Sequence, residues 1–242
     1  MFHDILFAMK KLFFSILAII FFVTGCTRHN GVTFDGSITG ADGCYLSVSR
    51  TCADETLFTD SVQIRNGSFS MTVPAGDDGP DFYLVSLCKD NAFTTLACKG
   101  ETVRIEADAS SLAHTYRATG SPDAERMCLL DQRLALFADS TDHLEKLYDY
   151  YQEDDSMRAA IEAAYVKIRE NHTTFLRDFI AQNSESISCL AAFYQRYNRH
   201  KFFSEKENLQ LLQDICTSLK ARYPHNGNVI WLEDRIERIK GR

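Results

Sequence analysis

Two hydrophobic periods divide the chain. From about Val32 to Thr119, apolar residues recur at every second position. Val32, Phe34 and Ile38 begin this series, and Cys44, Leu46 and Val48 continue it. Val62 and Ile64 follow, then Phe69, Met71 and Val73. Period two puts alternate side chains on opposite faces of a strand, so these runs predict half-buried β-strands. Phe82-Tyr83-Leu84-Val85 is continuously apolar and predicts a more fully buried strand. Val103 and Ile105 predict another after Lys99-Gly100-Glu101. Asn66-Gly67 is the strongest hairpin signal, since a type I′ turn needs positive φ at both central residues. Residues 31–120 thus predict an antiparallel β-domain of seven or eight strands, either a sandwich or an open barrel.

At Gly120-Ser121-Pro122 the period changes to that of a helix. Ser121 suits an N-cap and Pro122 the first helical position, where a missing N–H costs nothing. Met127, Leu130, Leu134 and Phe137 follow at helical spacing, continued by Leu144, Leu147, Tyr148 and Tyr151. The clearest helix spans Met157 to Ile180, with Ile161, Tyr165, Ile168, Phe175 and Phe179 on one stripe. Ser186 suits a cap for a helix carrying Leu190 and Tyr194, and Ser204 with Glu207 suits a capping box before Leu209. Tyr223-Pro224-His225-Asn226-Gly227 ends that helix, and Val229, Leu232, Ile236 and Ile239 form the last. Residues 121–242 predict an antiparallel helical bundle of five or six helices, and the whole chain an α+β fold.

The start of the chain obeys neither period. Leu12 to Val23 is apolar apart from Ser15, with Lys10 and Lys11 before it and Thr24, Gly25 and Cys26 after it. A basic start, a dozen apolar residues and small residues before a break describe a secretory signal peptide, and a membrane-spanning helix needs ~20. Val23-Thr24-Gly25-Cys26 resembles the bacterial lipobox. That motif implies cleavage after residue 25, acylation of Cys26 and a short lipidated tether over 26–30. Met9 before two lysines is an alternative start to Met1. Thr27-Arg28-His29-Asn30 carries no acidic cluster, so the expected location is the cell envelope, on the periplasmic face of the outer membrane.

Composition sharpens this division. The chain has 242 residues, is 45% hydrophobic and 24% charged, and carries a net charge of −7. These values fit a globular protein, and the acidic balance argues against nucleic acid as a partner. The signal segment contributes one Asp and two Lys, so its removal leaves the remainder more acidic by one charge. Six of the 17 Phe fall in the first 22 residues. The apolar excess is thus partly a targeting feature.

No motif for chemistry stands out. Seven cysteines follow Cys26, without a C-x-x-C pair. Cys88 with Cys98, and Cys44 with Cys52, fall where neighbouring strands can bring them together. These four are the candidates for a disulfide or redox role, the alternative being inert thiols. Cys128, Cys189 and Cys216 sit in apolar helical stripes and read as core thiols. The histidines are dispersed, with His114 in a late strand or turn and His172 on an apolar stripe, more in keeping with a core residue than a base. Glu153-Asp154-Asp155 suits a helix N-terminus better than a cation site, and Gly76–Asp81 suits an exposed turn better than a Ca²⁺ loop. Arg196, Arg199, His200 and Lys201 form a basic cluster placed at a helix end. No metal, cofactor or catalytic residue is expected.

The order of parts resembles the N-terminal β-domain and following helical region of thioredoxin-like (AhpC/TSA, thiol:disulfide interchange) envelope lipoproteins. The residues that carry it are Phe34-Asp35-Gly36-Ser37-Ile38-Thr39-Gly40, Val62–Ser70 with its Asn66-Gly67, Phe82-Tyr83-Leu84 and Gly100–Ile105. Gly120-Ser121 and Phe179–Ser186 extend it into the helical half. In that family redox activity resides in a C-terminal thioredoxin domain with a Trp-Cys-x-x-Cys motif. Here Trp231, the single tryptophan, has no Cys near it, so no catalytic residue carries over. The expectation is a lipid-anchored, non-catalytic protein that binds or scaffolds a protein or small ligand. The alternative is an accessory to periplasmic thiol–disulfide exchange that acts with a separate thioredoxin-like partner. Oligomeric state is left open.

Overall fold

The computed structural model describes residues 30–53, 55–87 and 91–241. The signal segment, Cys26 and Cys88 lie outside the described residues. The fold is α+β. In chain order the first half holds β1 (Gly31–Thr39), β2 (Tyr45–Cys52), β3 (Glu55–Gln63), β4 (Ser68–Pro74), β5 (Asp81–Ser86), β6 (Ala92–Ala97), β7 (Thr102–Asp108), the short α1 (Leu112–Thr115) and β8 (Arg117–Thr119). They form two four-stranded sheets, ordered β4-β1-β7-β8 and β3-β2-β5-β6. Neither sheet closes on itself, and the core lies between the two, as the sandwich or open-barrel expectation requires. Alternation does what it predicts: Phe34, Ile38, Leu46, Val48, Tyr83 and Ile105 meet between the sheets with no exposure. Phe34 and Tyr83 are in ring contact at 5.2 Å.

Two expectations are corrected here. The first sheet is not wholly antiparallel, because β1 runs parallel to β7, Phe34 opposite Val103 and Gly36 opposite Ile105. Its strands approach closely at Gly36, where φ is +147° and a Cβ would stand 1.7 Å from the Ile105 carbonyl oxygen. The second concerns Asn66-Gly67. Both residues have positive φ, and Arg65 and Ser68 exchange backbone hydrogen bonds, so the turn forms as predicted. It does not close a ladder. β3 pairs with β2 and β4 with β1, so the turn carries the chain from one sheet to the other. Turn chemistry fixes the reversal, but burial on both inner faces decides which partner each strand takes.

The second half holds α2 (Pro122–Tyr150), α3 (Asp155–Gln182), α4 (Ser188–Tyr194), a two-residue β-pair β9 (Arg196–Tyr197) and β10 (His200–Lys201), α5 (Leu209–Arg222) and α6 (Gly227–Lys240). Ser121 caps α2 by accepting from the Ala124 N–H at 3.3 Å. Asp154 caps α3 by accepting from Met157 N–H at 3.0 Å, which is the use of the acidic run 153–155. The expected capping box at Ser204 is absent. The Ser204 carbonyl instead accepts from Asn208 N–H in a turn, and the helix starts at Leu209. His114 lies in α1 rather than in a strand. The basic cluster 196–201 directly follows the C-terminal end of α4 and folds into a tight exposed hairpin, with Asn198 at positive φ.

α2 ties the halves together. Its Ala124 and Cys128 enter the sandwich core, while Met127, Leu130 and Phe137 enter the helical core. Phe82 and Leu96, on the outer face of β5 and β6, pack into that same helical core. The molecule therefore has three layers: sheet, sheet, helices. A second tie lies at the α5–α6 junction. The Asn226 amide donates to the Pro80 carbonyl at 3.0 Å and the Asp78 carbonyl at 3.3 Å. Its oxygen caps α6 by accepting from Asn228 N–H at 3.0 Å.

Candidate functional site

Cys44 immediately precedes β2 and Cys52 ends it. A strand rises ~3.3 Å per residue, so eight residues separate them by about 26 Å, against ~5.5 Å between the Cα atoms of a disulfide. The expected neighbourhood of this pair is corrected: they share one strand instead of facing each other across two. Both are free, as are Cys98, Cys128, Cys189 and Cys216. The proposed pairing of Cys98 with Cys88 lies outside the described residues. Burial pushes up the thiols of Cys52, Cys98, Cys128, Cys189 and Cys216, and Cys98 and Cys189 reach about 12. Glu101 adds to the rise at Cys98. Exchange proceeds through the thiolate, so these five thiols are poorly suited to it at neutral pH.

Cys98 lines the cleft where the sandwich meets the helices, a space of about 520 Å³. Its walls are polar, yet their polar groups serve one another. Asp123 accepts from Ser186 Oγ at 2.6 Å and from Arg126 Nη1 at 2.8 Å. The Arg126 Nε donates to Asn183 Oδ1 at 2.8 Å. Glu101 accepts from Cys98 N–H at 2.8 Å and from Ser121 Oγ at 2.7 Å. Arg222 pairs with Glu185 at 2.6 Å. The Ser186 hydroxyl donates to the Asp123 carboxylate and lies beside the Ser188 hydroxyl, and Asp123 is held in turn by Arg126. This is the chemistry of a satisfied junction.

His172 is a core histidine. It is buried, with Phe137 and Phe202 rings at 5.0 Å and 4.5 Å. The Gln195 amide nitrogen donates to the Leu130 carbonyl at 3.2 Å, which turns its oxygen to His172 Nε2 at 2.8 Å. The imidazole thus carries its proton on Nε2. Burial lowers its pKa and holds the ring neutral. Asp81 is likewise internal, accepting from Gly76 N–H at 2.8 Å and facing Arg50 at 3.4 Å.

A different kind of surface lies along α2 and α3. These helices form a long antiparallel pair whose buried residues end at Phe137 on the first and start at Ile161 on the second. Beyond that point they form an arm. Beside it runs an open groove of about 510 Å³, lined by Leu144, Tyr148, Ile161, Tyr165, Val166 and Tyr197 among others. Arg158 lies over the Tyr148 ring at 4.8 Å, and Tyr197 donates to Asp142 at 2.5 Å. That bond pushes the Tyr197 hydroxyl up to about 12. It pins the basic 196–201 hairpin across α2. Aromatic rings with fixed hydroxyls beside exposed apolar carbons suit recognition of another molecule.

Two further residues escaped the sequence reading. Asp131 and Tyr116 are hydrogen-bonded at 2.7 Å beneath a second pocket on the opposite side of the hairpin. The available signal was an acid set among Cys128, Ala135 and Ala138 at helical spacing on an otherwise apolar face. No protein-family model matches the chain, and no curated protein matches its sequence.

Proposed function

We propose that this protein is a lipid-anchored component of the bacterial cell envelope with a binding or scaffolding role and no chemistry of its own. The observation that carries the binding role is the α2–α3 arm, whose aromatic groove stands open beside a basic hairpin. The lipobox-like Val23-Thr24-Gly25-Cys26 supports the anchor. Each buried acyl CH₂ contributes ~0.8 kcal/mol, so several chains on Cys26 would make release negligible. The signal segment fits this location, and the acidic net charge fits a protein or small-ligand partner.

Two measurements test it together. Labelled palmitate is expected in the wild-type chain and not in Cys26→Ser; label persisting in the variant overturns the anchor. A photo-crosslinking residue at Val166 in the groove is expected to give a discrete adduct in cells. The same residue at Ile230, equally exposed on α6, is expected to give none. Identical adduct patterns at the two positions, or none at Val166, overturn the binding role of the arm.

A further inference from the structure

We infer that the pocket between the outer face of β5–β6 and α2 binds a small organic cation, an ammonium group on a short apolar body, with the Asp131 carboxylate as its counter-ion. The pocket has a volume of about 440 Å³, within the range of small-molecule sites. Leu84, Phe93, Leu134, Ala135 and Ala138 make its walls apolar.

One charged oxygen is left without a protein partner. Tyr116 donates to Asp131 Oδ2 at 2.7 Å, and among the described residues this is the carboxylate's one hydrogen bond. Asp131 Oδ1 has none, and no described cation stands within ion-pair distance of either oxygen. Tyr116 cannot swing to serve it, since its ring is stacked on Phe93 at 3.7 Å and 11°. The charged and titratable groups facing the acid are few. His114 comes from α1, Arg196 and Tyr197 from the hairpin, and Cys128 from the preceding turn of α2. Burial, opposed by Tyr116 and His114, raises the carboxyl to about 6. Above that pH the pocket holds a half-buried negative charge with one oxygen open to the cavity, where a cation can meet it.

The same geometry selects the class of cation. A hard metal ion needs several converging oxygens, and no group of three metal-ligating side chains occurs among the described residues. An ammonium needs one carboxylate, and its carbon body replaces water against the apolar walls. The inference does not rest on the anchor or on the arm.

The test uses the full chain in detergent, with benzylammonium as probe and benzyl alcohol and benzoate as its neutral and anionic analogues, followed by calorimetry at pH 7.5. Wild-type protein is expected to bind benzylammonium saturably and benzoate not at all. Asp131→Asn keeps an acceptor for Tyr116 and is expected to weaken benzylammonium roughly tenfold or more while leaving benzyl alcohol unchanged. Ala138→Leu fills the pocket without touching the acid and is expected to remove both, which decides the matter should the first variant fold poorly. Affinity for the cation is expected to fall as pH drops through about 6, and to begin falling at a higher pH in His114→Gln, which removes a group that holds the carboxyl down. Absent saturation, equal affinity in Asp131→Asn, retention in Ala138→Leu, or preference for benzoate would overturn the assignment.

Discussion

Asp131 shows how one residue couples a site to the stability of the fold. Its folded carboxyl holds a proton up to about pH 6, whereas an ordinary carboxyl releases it near 3.8. Between those values the native state binds more protons than the unfolded chain, so stability falls as pH rises through that window and stays low above it. The cost on the neutral side is at most about 3 kcal/mol. Asp131→Asn is expected to raise the melting temperature at pH 7.5, with the advantage shrinking as pH falls and gone near pH 4. Thermal unfolding of both proteins across that range checks it, and a variant less stable than wild type at pH 7.5 would contradict the burial argument. Tyr116 contributes no titration here, because burial and the neighbouring Asp131 hold its proton on throughout. His172 is the opposite case, since it is aromatic-packed and satisfied by Gln195, and its neutrality serves packing. A histidine on an apolar stripe with its ring nitrogen satisfied is a packing residue and not the mark of a site.

Elements differ in how much packing holds them, and the arm is the weakest. On α2 the buried residues stop at Phe137, and on α3 they resume at Ile161. The segment 138–160 therefore has helical hydrogen bonds but little core, and opening it exposes little apolar surface. Hydrogen exchange is expected to be much faster over 138–160 than over 122–137 and 172–182, although all belong to the same two helices. Uniform protection along α2 would show that the groove residues pack as a true core. Element identity was largely legible in the sequence: period two and period 3.6 each placed their segments, and Ser121-Pro122 marked the change. Partner choice was not. Asn66-Gly67 encodes a turn of two residues, but whether its flanks pair depends on contacts with β1 and β2, more than ten residues away. Ser204 failed as a cap for a related reason. Glu205 beside it is committed to Arg235 and Tyr194, which holds 204–208 in a turn and delays the helix to Leu209. The candidate pockets were illegible for the same cause, since each is built from elements far apart in the chain.

At the scale of the whole molecule, the change of period near residue 120 is a boundary in the sequence and a seam in the packing, and it is not a gap between two independent bodies. α2 puts Ala124 and Cys128 in one core and Met127 and Leu130 in the other, at spacings that a single helix cannot separate. Phe82 and Leu96 do the same from the strands. Asn226 adds a polar lock whose every function is internal: two carbonyls of the 78–80 loop and the first turn of α6. Asn226→Ala removes the cap and strands the Pro80 carbonyl in a buried setting. A lost cap costs ~1 kcal/mol and an unsatisfied buried carbonyl a similar amount or more, so a loss of roughly 2–3 kcal/mol is expected. The unfolding should nevertheless remain one transition, because the shared apolar seam through α2 is intact and links the melting of either core to the other. Calorimetry of the variant, with far-UV signals for helix and near-UV signals for aromatic packing recorded on the same protein, checks both parts. Coincident, earlier melting supports a single cooperative unit held chiefly by apolar packing. Two separated transitions would mean that Asn226, and not α2, is what joins the sandwich to the helices.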